Sequence, residues 1–324
     1  MAAKRFFTSL LCVFWYSMLA LLAKGSPVGG KITSKDLDLE NIYSPDPPVT
    51  HRVLMTIEYY DQVEAKTENE EITIELFGTN TPKTVQNFAA LCVGMRFAYE
   101  NGDPEEIHFA TFKESLLHKI IKNKLIQGGD VFERHMPLSI YGHNWPDENF
   151  LLKHDRPGRL SMYNKGPNTQ GSEFFITTDV APASEFDMKN VVFGQVVSGL
   201  EWLIDKVQYV PTDESGKPLN DVMIKYVTID ELTLGNKDLL QSNYIEKLNR
   251  FNRGEIAEGV NFKSILKKGN TEKQEMDDIK LQQLANPLRN VMFGIISLCG
   301  IYLLAKYRRF ILPKSSKIVS MRHE

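Results

Sequence analysis

Between His51 and Leu234 the apolar residues come in short runs separated by Gly, Pro and Asn, a pattern that restricts this part of the chain to a mainly β fold. Glu71–Phe77 (EITIELF) alternates strictly, as a strand does when one face is buried and the other is wet. Val53–Tyr60 reads as its neighbour, joined to it through a charged hairpin connection. Leu117–Ile121, Leu125–Gln127, Leu160–Met162, Glu173–Thr177, Val191–Val197 and Val222–Leu234 read as further strands. Thr81-Pro82 opens a helix, with proline at the first helical position, and Val85, Phe88, Ala89 and Cys92 then share one stripe. Leu200, Leu203, Ile204 and Val207 mark a second helix. Many short strands with two helices predict a closed barrel capped at its ends.

The two ends carry a different signal. Lys4 and Arg5 precede an apolar run from Phe6 to Ala23, and the small residues Ala23 and Gly25 follow it, which is the layout of a secretory signal peptide cut after Gly25. An uncut anchor gives the same orientation, and a buried core helix is the plainer alternative. Val291–Tyr307 is a second apolar run whose one charge is Lys306. Its length is near the lower limit of about 17 residues for crossing a bilayer. Arg308, Arg309, Lys314, Lys317 and Arg322 follow it and mark the cytosolic side. Signal and anchor thus predict one topology, a lumenal body with a short basic tail at 308–324. Residues 26–50 read as an extended leader, and 235–290 as a partly helical lumenal stem in which Leu240, Tyr244, Leu248 and Phe251 could align. A partner-binding helix is the other reading of that stripe. A net charge of −3 with no strongly basic half gives no electrostatic reason to expect nucleic acid as a partner. Cys12 and Cys299 fall in the two apolar runs, so Cys92 is alone in the body and cannot make an internal disulfide there.

The sequence has no phosphate-binding glycine loop, no His-Glu-x-x-His, no Cys-x-x-Cys and no Gly-x-Ser-x-Gly. The histidines lack metal-ligand spacing, so no cofactor or metal is called for. What remains is a collinear set of longer segments. ELFGTNTPKTVQNFAAL (Glu75–Leu91), LHKIIKNKLIQGGD (Leu117–Asp130), SIYGHNWPDENFLLKHDRPGRLSMYNKGPNTQGSEFFITT (Ser139–Thr178) and NVVFGQVVSGLEWL (Asn190–Leu203) resemble, in order, the cyclophilin family of peptidyl-prolyl isomerases. The resemblance runs from about Val53 to Leu234 and is similar to the membrane-anchored secretory-pathway cyclophilins of fungi. It implies an eight-stranded antiparallel barrel with two capping helices.

It also implies a reaction, rotation about the X–Pro bond against a barrier of about 18–20 kcal/mol, with no cofactor and no covalent step. An apolar slot would hold the proline ring, donors would grip a neighbouring carbonyl, and a cation would stabilise the twisted amide. Carried over by position, Lys119, Gln127, Asn164 and Phe175 are the catalytic candidates. Gln127 and Asn164 would bond the substrate backbone, and Phe175 would wall the proline slot.

The departures reshape the same groove. Lys119 stands where the family has its catalytic arginine, keeping the charge without the planar fork. Lys124 replaces a pocket phenylalanine and is expected to snorkel outward. Leu125 replaces methionine, Tyr163 a small residue, Glu185 and Phe186 a tryptophan and a leucine, and Asn190 the pocket histidine. An insertion at about Val93–Ser115 and a shorter loop at Phe132–Leu138 flank the groove. These features support two readings. One is an isomerase acting on proline-containing segments of secretory proteins. The other is a membrane-tethered peptide-binding chaperone or adaptor without strong catalysis. Weak cyclosporin binding is expected, because the family tryptophan replaced by Glu185 contacts that drug.

Overall fold

The computed structural model describes residues 31–98, 107–132, 139–266, 269–270, 302–303 and 306. The apolar runs at Phe6–Ala23 and at Val291–Tyr307, the latter apart from Tyr302, Leu303 and Lys306, lie outside the described residues, as do most of the 235–290 segment beyond Leu266 and the basic tail after Tyr307. Among the described residues no helix is long and apolar enough to cross a membrane.

The described residues up to Asn270 form one compact unit. The strands β2 (His51–Asp61) and β3 (Lys66–Leu76) make a hairpin in continuous register from His51↔Leu76 to Asp61↔Lys66. Strands β6 (Ser115–Leu116), β7 (Lys119–Ile121), β8 (Leu125–Gly128), β9 (Arg159–Asn164), β10 (Gln170–Thr177), β11 (Val192–Ser198) and β12 (Met223–Glu231) complete the sheet with them. Among the described residues it has nine antiparallel strands, in the order β6-β12-β2-β3-β11-β9-β10-β8-β7. Its outermost members, β6 and β7, are separated in sequence by Leu117 and His118 alone, so the sheet must curl round on itself.

The expected count of eight strands therefore becomes nine. The run expected as one strand at Leu117–Ile121 is a strand only over Lys119–Ile121, and a separate strand, Ser115–Leu116, precedes it, with Leu117 donating its N–H to Val222 and Ile120 donating to Gly216. One segment is thus shared between the two edges of the curled sheet. The smaller pairs are β1 (Ile42–Tyr43) with β13 (Val260–Asn261), and β4 (Met95–Phe97) with β5 (His108–Ala110). The second pair frames the sequence insertion.

Two helices pack as the apolar spacing predicts. In α1 (Pro82–Val93) the buried stripe is Val85, Phe88, Leu91 and Cys92, with Ala89 only half-buried. Phe88 meets Phe112, Phe174 and Phe193 with ring centroids 4.8, 5.2 and 5.2 Å apart, so one helical side chain joins two strands and the loop before β6. Thr81 does not cap this helix. The Glu148 carboxylate accepts from the N–H groups of Lys83 and Thr84, both at 2.9 Å, placing negative charge on the positive end of the helix dipole. The second helix, α2 (Leu200–Asp205), buries Leu200, Leu203 and Ile204.

The leader and the first part of the stem are not loose. Ser44 bonds to Asp155 just before β9 and Asp46 to Arg159 within it, and β1 pairs with β13, so the two segments flanking the sheet hold each other. The stem helix α3 (Lys237–Asn252) buries Tyr244 and Leu248, and Phe262 beyond it is fully buried. Residues 31–50 and 237–266 thus pack into the folded body: the expected extended leader is anchored over 31–50, and the expected partly helical stem is helical over 237–252 and docked rather than separate. Their apolar side chains fill space that the sheet alone leaves open.

Candidate active site

Register decides which side chains share a face. Lys119 pairs with Gln127, Gln127 with Phe175, and Phe175 with Ser161, giving one cross-strand row over β7, β8, β10 and β9. The next row, Ile120, Ile126, Ile176 and Leu160, faces the hydrophobic core. Because strand side chains alternate between faces, the first row belongs to the outer face. The cation of Lys119, the amide of Gln127 and the phenyl ring of Phe175 are thereby set side by side on rigid strands.

Lys119 is half-buried, and its ammonium makes no ion pair with any described residue. Gln127 is buried, and its Nε2 donates to Glu173 at 2.8 Å. Phe175 is 1% exposed and lies 5.0 Å from the half-exposed ring of Phe186. Behind it the His154 ring stacks on Phe175, with centroids 5.8 Å apart and planes 10° from parallel. His154 is held at both nitrogens, by Asp187 at 3.0 Å and by Ser161 at 2.9 Å. Since the carboxylate can only accept, Nδ1 carries the proton toward Asp187 and Nε2 accepts from the Ser161 hydroxyl. Burial lowers the His154 pKa and outweighs the opposing pull of Asp187, so the ring is neutral at pH 7.

The other expected groove residues divide. Leu125 is buried at the start of β8. Lys124 is partly exposed, with 40% of its side chain open to solvent, but its charge is not left alone at the rim. Its ammonium pairs with Glu185 at 3.4 Å and sits 5.3 Å from the Phe186 ring centroid, because the two substitutions place opposite charges at one rim. Asn164, half-buried at the end of β9, donates Nδ2 to the Lys189 carbonyl at 2.7 Å, which leaves its Oδ1 available. Tyr163, also half-buried, lines a shallow recess with Asp130, Asn164, Lys165 and Glu173. Asn190 is buried and gives its amide to the Met162 carbonyl at 2.9 Å, so it braces the 184–190 turn against β9 and is not brought to the groove surface.

Glu173, His118, His154 and Ser161 complete this arrangement and are absent from the sequence-level candidates. Glu173 stands two residues before Phe175 on the same strand, and that alternation is the signal that could have found it. Its Oε2 also meets His118 Nε2 at 3.3 Å. Burial works against its charge, but the hydrogen bonds from His118 and Gln127 prevail and hold its pKa below the ordinary value. Among the described residues no three His, Cys, Asp or Glu side chains converge as a metal site would.

A curled antiparallel sheet whose outer face presents a cation, an amide and a phenyl ring in one row defines a non-covalent peptide-groove protein. The model of the family "Cyclophilin type peptidyl-prolyl cis-trans isomerase/CLD" matches residues 62–229. Peptidyl-prolyl cis-trans isomerase CPR4 of Saccharomyces cerevisiae is 43% identical over 259 residues, covering 80% of this chain and 81% of the relative. Peptidyl-prolyl cis-trans isomerase CYP8 of the same yeast is 36% identical over 325 residues, covering 99% and 100%. Peptidyl-prolyl cis-trans isomerase cyp11 of Rhizopus delemar is 47% identical over 156 residues, covering 47% and 44%. The chain belongs to the cyclophilin family and is a cyclophilin-type peptidyl-prolyl cis-trans isomerase.

Proposed function

We propose that this isomerase assists the folding of secretory proteins from the lumenal side of a secretory-pathway membrane, binding proline-containing segments across the Lys119–Gln127–Phe175 row. The row carries the proposal, because it unites on one rigid face the cation, polar amide and aromatic wall that X–Pro rotation requires. Lys119 would hydrogen-bond the prolyl nitrogen as the amide twists. Gln127 and Asn164 would hold the neighbouring backbone, and Phe175 with Leu125 and Phe186 would enclose the ring. The membrane placement rests on the terminal apolar runs and the basic residues after Tyr307. Endoplasmic reticulum, Golgi and vacuole all fit that topology.

Exchange spectroscopy on a proline peptide with the full-length chain tests the activity and the site together. Acceleration by the wild-type chain that falls on Lys119→Ala is expected, and equal exchange with both proteins would refute the role of Lys119. Protease protection of sealed membranes tests the topology, with the body protected and the tail cut.

The Lys124–Glu185 pair over Phe186, together with the burial of Phe175, favours a second reading in which peptide gripping dominates and catalysis is slow. The Glu185 replacement also supports weak cyclosporin binding, which calorimetry would contradict by showing nanomolar affinity.

A further inference from the structure

We propose that Glu173 is a positioning residue that fixes which way round the Gln127 amide faces the groove. The inference rests on the reading of Gln127 as a groove residue. A glutamine side chain can present its oxygen or its nitrogen in almost the same space, and rotating one into the other changes the pattern of donors a substrate meets. An ionised carboxylate has no donor. Gln127 sits 2.8 Å from Glu173 Oε2, so its nitrogen must turn to Glu173, and its oxygen must turn away.

The groove then meets Oε1 together with the second N–H, in one orientation. A neutral amide at position 173 could accept from Gln127 or donate to it, and both orientations would be populated.

Three further observations suit Glu173 to this task. It lies on β10, two residues before Phe175, so the strand that carries the aromatic wall also carries the orienting group. It is held from its other side by His118 Nε2 at 3.3 Å, which precedes Lys119 in the break between β6 and β7. The same carboxylate therefore touches the neighbour of the groove's cation and the groove's amide. Lys165, in the recess it shares with Asp130 and Tyr163, adds positive charge that favours the ionised form.

A double-mutant cycle in the full-length chain tests the proposal, with exchange spectroscopy giving kcat and KM and thermal unfolding reporting the fold. Glu173→Gln keeps shape and removes the acceptor-only character. It should lower kcat by about threefold to tenfold, the range of one hydrogen bond, with KM nearly unchanged. Glu173→Ala should lower it at least as far. On a Gln127→Ala background neither substitution should slow the reaction further. A wild-type kcat in Glu173→Gln would overturn the proposal, as would a full extra loss in the double variant. A wild-type rate for Gln127→Ala would instead remove the groove role of Gln127, and the proposal with it.

Discussion

Arg159 in β9 is fully buried, and its Nη1 lies 2.7 Å from the Asp46 carboxylate in the segment that precedes the sheet. Asp155 accepts from the Arg159 Nε at 3.0 Å and from Arg156 at 3.1 Å, and Arg156 in turn reaches Asp46 at 3.4 Å and stacks over the Tyr43 ring at 4.9 Å. Two guanidinium groups and two carboxylates thus neutralise each other out of water. Removing one partner strands a buried charge and costs about 3–5 kcal/mol. That is a large part of the roughly 5–15 kcal/mol that stabilises an ordinary domain.

The fragment His51–Leu234 lacks Asp46 and also exposes the surface covered by Tyr244, Leu248 and Phe262. It should fail to give a cooperative unfolding transition by circular dichroism, and Asp46→Ala in the full-length chain should lower the melting temperature clearly. A fragment that melts with the intact chain would show the network to be dispensable.

Lys119 keeps the charge of the family arginine as a point donor without a planar fork. If its contact to the twisted amide is one charge-assisted hydrogen bond, Lys119→Ala should cost about 1.5–3 kcal/mol of transition-state stabilisation, roughly tenfold to 150-fold in kcat/KM. Lys119→Arg should raise the rate above wild type, because Gln127 and Phe175 already stand in the same cross-strand row. An arginine variant no faster than wild type would place the rate limit elsewhere in the groove.

The candidates Lys119, Gln127 and Phe175 were legible in the sequence through the family resemblance of the collinear blocks that hold them, whereas their shared row comes from the strand register. So was the helix opened by Pro82, because proline spacing and an apolar stripe are local signals. The roles of residues 31–50 and 237–266 were not. Tyr244 and Leu248 show helical spacing, but spacing does not say what covers a stripe, and Asp46 gives no local hint of Arg159. Asn190 was placed in the groove by position, whereas its actual amide contact with Met162 depends on how the turn before β11 folds. Glu173 and His118 escaped notice for a similar reason: their work is done on Gln127 and through space.

His154 makes stability depend on pH. Burial holds its folded pKa below the ordinary value of about 6.5, so the unfolded chain binds the extra proton first as the solution is acidified. Its contribution is complete above about pH 6.5 and is lost as pH falls through that value towards the folded pKa. His51, whose pKa is also lowered chiefly by burial, adds in the same direction. The melting temperature should therefore fall between pH 7 and pH 5. Protonation would also give Nε2 a hydrogen where it now accepts from Ser161, disturbing the ring stacked on Phe175. His154→Gln should flatten the pH dependence of the melting temperature even though it lowers stability at pH 7. An unchanged slope in that variant would assign the dependence to other groups.

Lys124 and Glu185 are both substantially exposed, 40% and 51% at their side chains, so their pairing is worth at most about 1 kcal/mol to the fold. Its position matters more than its strength. The ammonium lies over Phe186, whose ring contacts the buried Phe175, and in the proposed binding mode the pair would form part of the cover that an incoming proline ring displaces. Lys124→Ala should leave the melting temperature within a degree or so of wild type and lower KM for a proline peptide severalfold, because less surface must be uncovered on binding. Glu185→Trp breaks the same pair from its other side and restores the aromatic that touches cyclosporin in the family, so it should strengthen cyclosporin binding by calorimetry at least tenfold. If Lys124→Ala raised KM instead, the lysine would be a contact to the peptide and not a cover over its pocket, and the drug and substrate effects of the two variants would no longer run together.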